Sequence, residues 1–295
     1  MAQTRVLVKR RKAIRNIRKI TKTMELIATA RYKKAFDRAS EAEAFTRKIA
    51  ELAADLSRSA GEQSHPLLTV RENPQRTLLL TLNSNRGLCG GYNGAIIREA
   101  MQRIRKSQVE KVPFDLEVSG KRGLSYFRFS GIPISETYTQ FEDKPTYEQV
   151  EVVANKYIDL YISGVIDRVD VAYMKFVTMS RQMPVVETLL PFTALTTATT
   201  TAPVATTGPA TEYEFIPSVG DILNELVPVA FKIRLFKCFL DAAVSEQITR
   251  RVAMKAATEA AGDLIKSISR EYNRARQGQI TKELAEIIAG AEALK

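Results

Sequence analysis

AVSEQITRRVAMKAATEAAGDLIKSI, residues 243–268, is a run of strong helix formers with no proline. Around it, Phe236, Leu240, Val244 and Ile248, and further on Ile265, Ile268, Tyr272 and Ala275, recur three or four residues apart. That spacing puts them on one stripe of a helix. Proline is absent from residue 229 to the end, so the pattern predicts a helix over 218–293, with Pro228 as the place for a kink. Gly262, Gly278 and Gly290 are weak points, each costing about 1 kcal/mol relative to alanine. At 1.5 Å per residue the helix would be roughly 110 Å long, more than a globular domain of this size can bury. It needs a partner.

The first 65 residues, also free of proline, supply one. Ile14, Ile17, Thr21, Met24 and Ala28 follow a heptad-like spacing that continues through Arg31 and Ala35. The seam is narrow, because lysine and arginine crowd both its sides. The two arms are expected to pair as an antiparallel coiled coil.

The middle of the chain alternates differently. TLLLTLN (77–83) reads as a strand, followed by the loop SNRGLCGGYNG and a helix through Ile96, Ile97, Met101 and Ile104. FDLEVSG (114–120) is a second strand, with a short helix GLSYFRF after it. An extended segment at 132–138, a helix over 146–162, and strands VDVAYMKFV (169–177) and PVVETLLPF (184–192) complete the region. The alternation predicts a small Rossmann-like α/β domain with a mostly parallel sheet. Nine threonines and two prolines between Thr193 and Thr211 read as an exposed loop. The expected fold class is therefore α/β plus long helices, with the α/β domain inserted into the coiled coil. The expected segments are 1–60, 75–192, a loop and foot over 193–217, and 218–295.

Charge is as uneven as helicity. The formal net charge is +11, and residues 1–38 hold 13 Lys/Arg against 2 Asp/Glu, so the whole excess lies in the first arm. Such a block calls for an acidic partner: nucleic acid, an anionic membrane or an acidic protein surface. The two cysteines, Cys89 and Cys238, lack metal-ligand spacing, and with a single histidine a zinc site is all but excluded. No stretch has the length and apolarity of a transmembrane helix, and the N-terminus lacks the apolar core of a signal peptide.

Candidate chemistry is thin. Gly87-Leu-Cys-Gly-Gly-Tyr-Asn-Gly94 sits between strand and helix, where phosphate loops occur, but it lacks the GK[ST] ending and is not G-x-G-x-x-G. Its glycines suit a tight turn and close backbone approach. Cys89 has no histidine near it in sequence, and His65, before Pro66, reads as a surface residue. No catalytic residue, cofactor site or metal site is expected.

Three segments resemble one family. IRNIRKITKTMELIATARYKKA is similar to the N-terminal helix of F-type ATP synthase γ subunits. SNRGLCGGYN resembles that family's loop after the first strand, and residues 245–294 are similar to its C-terminal signature nearly throughout. The resemblance implies a central rotor shaft threading a hexamer of α and β subunits, with a foot on the ε subunit and the membrane ring of c subunits. It implies a non-catalytic subunit, without cofactor, whose basic collar meets acidic protein rather than nucleic acid. Membrane contact would come through the complex alone, peripherally, at the cytoplasmic face of a bacterial plasma membrane. A bacterial source is expected because the chain starts at Met1 with family sequence and no transit peptide.

Residue by residue, the resemblance assigns Met24 to a position facing an acidic lever segment of β, with Lys22 nearby and Arg250 close on the other helix. Arg276 and Gln277, with Thr281 and Glu283, match a patch that meets a catch loop on β, and Arg86 matches a position next to β. Leu284, Ile287, Ile288 and Leu294 would form an apolar bearing tip, although ordinary coiled-coil core would explain them as well. Tyr213 and Phe215 would touch ε and the c ring. Chloroplast-type shafts carry a regulatory cysteine pair ahead of the last helix; here that region has none, so thiol control is not expected. Two other classes stay open on composition: a nucleic-acid-binding coiled coil driven by residues 1–38, and an enzyme built on the α/β domain, for which no convergent polar site can be assembled.

Overall fold

A computed structural model describes residues 2–59, 65–71, 75–141, 144–192 and 219–292. The chain forms two compact units, Met1–Ala30 with Arg250–Lys295, and Arg31–Thr249. Helix α1 (Ala2–Ser59) and helix α5 (Val219–Glu292) each contribute to both. The expected C-terminal helix is thus present to within a residue at each end, and it continues through Pro228.

Between them lie β1 (Thr77–Leu82), α2 (Tyr92–Val109), β2 (Phe114–Ser119), α3 (Lys121–Phe129), β3 (Glu136–Tyr138), α4 (Tyr147–Ile162), β4 (Arg168–Thr178) and β5 (Arg181–Leu190). The strands form one sheet in the order β3-β2-β1-β4-β5. β1 pairs in parallel with β2, Thr77 facing Phe114, and with β4, Thr77 facing Arg168. β4 and β5 form an antiparallel hairpin, and β5 closes one edge with Pro184 inside it.

The composition of β1 follows from its position. All six residues of TLLLTL are buried, because a central parallel strand is covered on both faces and has no reason to alternate. Leu78, Leu80 and Leu82 pack with Tyr157 and Tyr161 of α4 and Phe231 and Leu235 of α5. Leu79 faces the opposite way, toward Ile96 and Ile104 of α2 and Phe127 of α3. Helix α4 is started by a reciprocal capping box, Thr146 accepting from the Gln149 N–H while the Gln149 side chain accepts from that of Thr146.

Polar ties close the lower edge of the sheet. The Asp167 carboxylate accepts from the Gln75 N–H at 2.7 Å, the Arg76 N–H at 3.2 Å and the Arg71 guanidinium. Burial opposes its charge, but these donors outweigh burial and hold its pKa below the ordinary value. His65 is not the surface residue that the sequence suggests. It is buried, and its Nδ1 accepts from the Leu67 N–H at 3.1 Å, capping a single 3-10 turn at Pro66–Leu68; burial lowers its pKa.

Within the larger unit, α5 is surrounded. No residue from Ala230 to Thr249 is exposed. Tyr32, Ala35 and Ala39 of α1 pack on Leu240, Val244 and Ile248, so the expected C-terminal seam is real here, while on α1 Ala35 is joined by Tyr32 in place of Arg31. Arg234 of α5 pairs with Glu187 of β5, whose other oxygen accepts from the Tyr173 hydroxyl at 2.7 Å. Lys232 reaches Glu151 of α4 at 2.9 Å, the Ser245 hydroxyl donates to the Met174 carbonyl at 3.2 Å, and the Tyr92 hydroxyl donates to the Ala242 carbonyl at 3.2 Å. Lys237 bridges Asp241 and Glu43 of α1, 3.3 Å from each.

Candidate functional site

In the smaller unit, residues 2–30 of α1 lie against the C-terminal part of α5. The Thr258 hydroxyl donates to the Thr21 hydroxyl at 2.8 Å, the Arg18 side chain crosses Gly262, and Arg11 stacks 5.1 Å above the Tyr272 ring. Positions rise on one helix as they fall on the other, which makes the pair antiparallel. The buried seam is built from Thr21 and Ala28 on one side and Met254, Ala261 and Ile268 on the other.

One predicted seam residue is misplaced. Ile17 is 52% exposed, and the seam runs from Ile14 past Arg18 to Thr21. Spacings of three and four alternate in a heptad, so an error of one residue moves a side chain about 100° around the helix. Ile17 and Ile20 consequently stand on the outside of the shaft, among the exposed cations Arg15, Lys19 and Lys22.

The candidate contact residues fall as follows. Lys22 is exposed and pairs with Glu25 at 3.2 Å, while Met24 is half-buried at the seam. The pairing of Thr21 with Thr258 sets Met24 near the level of Met254 and Lys255, one turn of α5 from Arg250, which is buried. Arg276 and Gln277 are exposed. The Thr281 hydroxyl donates to the Gln277 carbonyl at 3.0 Å, and Glu283 accepts from the Gln279 amide at 2.9 Å. Every residue from Ile280 to Glu292 is exposed, including Leu284, Ile287 and Ile288. These three therefore do not belong to a coiled-coil core within this chain. Leu294, Tyr213, Phe215 and the threonine-rich stretch lie outside the described residues.

Arg86 belongs to the larger unit, in the loop between β1 and α2. Asn93 organises this loop: its Oδ1 accepts from the Ser84 N–H at 2.9 Å, and its Nδ2 donates to the Ser84 hydroxyl at 2.8 Å and lies 3.2 Å from the Cys89 sulfur. The Ser84 hydroxyl donates to the Arg86 carbonyl at 2.7 Å. Leu88 and Gly90 adopt positive φ, 63° and 58°, and the Leu88 side chain is 60% exposed. A leucine in the left-handed region costs roughly 1–2 kcal/mol, and the turn holds it there with its side chain outward. The loop presents Arg86 and Leu88 to solvent rather than shaping a phosphate cradle.

A second cluster has the look of chemistry. Glu117, 2% exposed, accepts from the Tyr138 hydroxyl at 2.8 Å, the Tyr157 hydroxyl at 2.6 Å and Lys156 at 2.5 Å. Burial first, and the Glu117 charge next, push both tyrosine pKa values well up. The carboxylate is buried and engaged by three donors, so it joins β2, β3 and α4. The cavity at the C-terminal ends of β1 and β2, of about 50 Å³, is lined by Asn83, Arg86, Phe141, Phe239 and Glu246 and holds little more than water. Among the described residues there is no grouping of side chains suited to a metal ion. Both cysteines are free and buried, and burial pushes Cys238 up to about 12.

Together these features define a class: a protein of long paired helices and an α/β domain, in which the described residues form no catalytic grouping. The family model described as ATP synthase matches residues 3–294. The ATP synthase gamma chain of Rhodopirellula baltica is 54% identical over the full length of both chains, and that of Leptospira biflexa 34% identical over the full length of both. Two cryo-EM structures of the Euglena gracilis mitochondrial ATP synthase share the fold. Its rotor in rotational state 1 has a TM-score of 0.63 at 14% identity, over 95% of this chain and 99% of that one. The OSCP/F1/c-ring assembly in rotational state 3 has a TM-score of 0.65 at 16% identity, over 99% and 95%. The chain belongs to the ATP synthase γ-chain family. It is a subunit of that complex and serves as its central rotor shaft.

Proposed function

We propose that this chain couples ion flow to catalysis by rotation while performing no chemistry itself. Its asymmetric shaft would bias each β subunit in turn, one face of the rod acting as the ligand that selects among β conformations. Lys22, Met24 and Arg250 are proposed to work against an acidic lever segment of β, and Arg276, Gln277, Thr281 and Glu283 against a second β loop. Arg86 would meet β from the α/β body. Leu284, Ile287, Ile288 and Leu294 are proposed as the tip that turns in an apolar sleeve of the hexamer. Tyr213 and Phe215 would belong to a foot on ε and the c ring.

The carrying observation is the stretch from Ile280 to Glu292, exposed along its whole length with Leu284, Ile287 and Ile288 outward. Apolar side chains standing clear of any core in their own chain call for cover from a partner. The exposed cations of α1 supply charge suited to an acidic protein surface. Association with the synthase at the cytoplasmic face of a bacterial membrane fits a chain in which no described helix is long and apolar enough to cross one.

The test is ATPase activity of the matching α and β subunits with and without this chain, followed by Arg276→Ala and Gln277→Ala. The expected result is activation with co-purification as one species, and for Arg276→Ala about tenfold weaker association, ~1.4 kcal/mol. Absence of both activation and co-purification would sink the rotor reading.

A further inference from the structure

The half-buried charges that tie α5 to its neighbours, Arg234 to the sheet among them, are the least expected feature of the larger unit. FKIRLFKCFLDA (231–242) would read as a core helix but for Lys232, Arg234, Lys237 and Asp241. VVETLLPF (185–192) would read as an apolar strand but for Glu187. Arg234 and Glu187 meet each other. Glu187 also takes the Tyr173 hydroxyl at 2.7 Å and lies 3.9 Å from Lys175. Burial opposes the Glu187 charge, but Arg234, Tyr173 and Lys175 outweigh it and lower its pKa, so the pair is ionised.

Stability alone is a poor reason for such a pair. Replacing a buried ion pair by well-packed apolar groups is often neutral or stabilising, because the desolvation of two charges offsets their attraction. What the pair adds is direction. Apolar packing around α5 is non-directional. A bidentate-capable guanidinium facing one carboxylate fixes one angle of the helix about its own axis.

The other ties make this a couple rather than a single pin. Ser245, eleven residues after Arg234, returns to the same side of α5, where its hydroxyl meets the Met174 carbonyl of β4. Ala242 lies about 80° around the helix and Lys232 about 160°, held by Tyr92 of α2 and Glu151 of α4. Bonds on opposed sides of an axis resist turning about it.

We propose that Glu187 and Arg234, with Tyr173 behind them, lock the rotational setting of α5 against the β4–β5 hairpin, so that turning force applied to the α/β body enters the shaft helix without slip. This rests on the rotor reading above. It assigns both residues a positioning role that no contact with another subunit requires.

The test uses the complete complex in lipid vesicles, with the hexamer fixed and a probe attached at Val109→Cys. Position 109 is 83% exposed, whereas Cys89 and Cys238 are buried, so this chain offers the probe one accessible thiol, and labelling precedes assembly with the other subunits. In the double variant Glu187→Met/Arg234→Met, ATPase activity is expected to be retained. The angular spread of the stalled probe should widen at least twofold, and ion pumping per ATP hydrolysed should fall. A spread and pumping ratio equal to those of the parent would overturn the lock. Should the double variant fail to assemble, Tyr173→Phe removes a single hydroxyl from Glu187 and is expected to widen the spread to a smaller degree; an unchanged spread there overturns the lock equally. A parent complex that neither turns nor pumps overturns the rotor reading, and the lock with it.

Discussion

Two stretches of α5 use one kind of secondary structure for opposite ends. From Ala230 to Thr249 every residue is at least partly covered, and from Ile280 to Glu292 every residue is exposed. The first stretch carries Phe231, Leu235, Phe239, Leu240 and Val244, large side chains distributed all round the helix. The second carries Leu284, Ile287 and Ile288 among Lys282, Glu283 and Glu286. Helix propensity is satisfied in both, so it distinguishes nothing. What differs is the cover: the chain's own sheet and α1 supply it in the first case, and none of the described residues does in the second.

The largest effect that would break this comparison is expected at Phe231. Its side chain is fully buried between α5 and the sheet, and Phe231→Ala should destabilise the chain by about 3–5 kcal/mol through lost transfer energy and the cavity left behind. Chemical denaturation of the purified chain measures it; a loss no larger than that of a surface substitution would mean that this stretch is not core.

A smaller, pH-dependent effect is expected at Asp241. Its carboxyl is buried, and burial, only partly offset by Lys237, raises its pKa from 3.8 to about 6, with Glu43 raising it further and Lys175 opposing. Between these values the folded chain holds a proton that the unfolded chain has released. The contribution to stability is therefore present in full below pH 4 and is lost as pH rises through 6. Asp241→Asn should equal the parent near pH 4 and exceed it by up to about 3 kcal/mol at pH 8. Parallel stability curves for the two across that range would contradict the assignment.

The smallest effect on the chain, and a sharper one on the complex, is expected at the tip. Ile287→Ala should change the stability of the isolated chain by less than about 0.5 kcal/mol, as for exposed sites generally. The same substitution should still weaken retention of the shaft in the hexamer, read by co-purification. If Ile287→Ala cost the isolated chain as much as Phe231→Ala does, the tip would be core and the contrast would be void.

Much of the fold is legible in the sequence for a physical reason: each element carries its own period. The proline-free arms with seams of three and four spacings and the leucine-rich TLLLTL state their environments locally, whereas β4 alternates in sequence yet is buried continuously from Val169 to Met174. Ile17 shows where this runs short, since in a narrow seam crowded by cations two neighbouring registers look alike until the partner helix selects one. His65 fails for another reason: a short polar segment before proline reads as surface, yet its ring caps the turn that carries Leu67 into the core.

The proposed contact surface is legible only through resemblance, since exposed Arg276 and Gln277 have no periodic signal of their own. The ties Arg234–Glu187, Lys232–Glu151 and Tyr92–Ala242 join residues 47, 81 and 150 positions apart and could not be paired from one sequence. Their trace is nonetheless present: charged residues set into FKIRLFKCFLDA and VVETLLPF, where an ordinary core has none.

The position of Pro184 has a consequence for the life of the chain before assembly. A sheet that ends in a strand offers an unpaired row of amides and carbonyls to any other strand that drifts past. β5 is such an end, ten residues long, and a shaft awaiting its hexamer would display it at each encounter with a second copy. Pro184 removes one donor from the middle of that row and stiffens the chain around it. The rim of the sheet is thereby a poorer template for strand addition by a second copy.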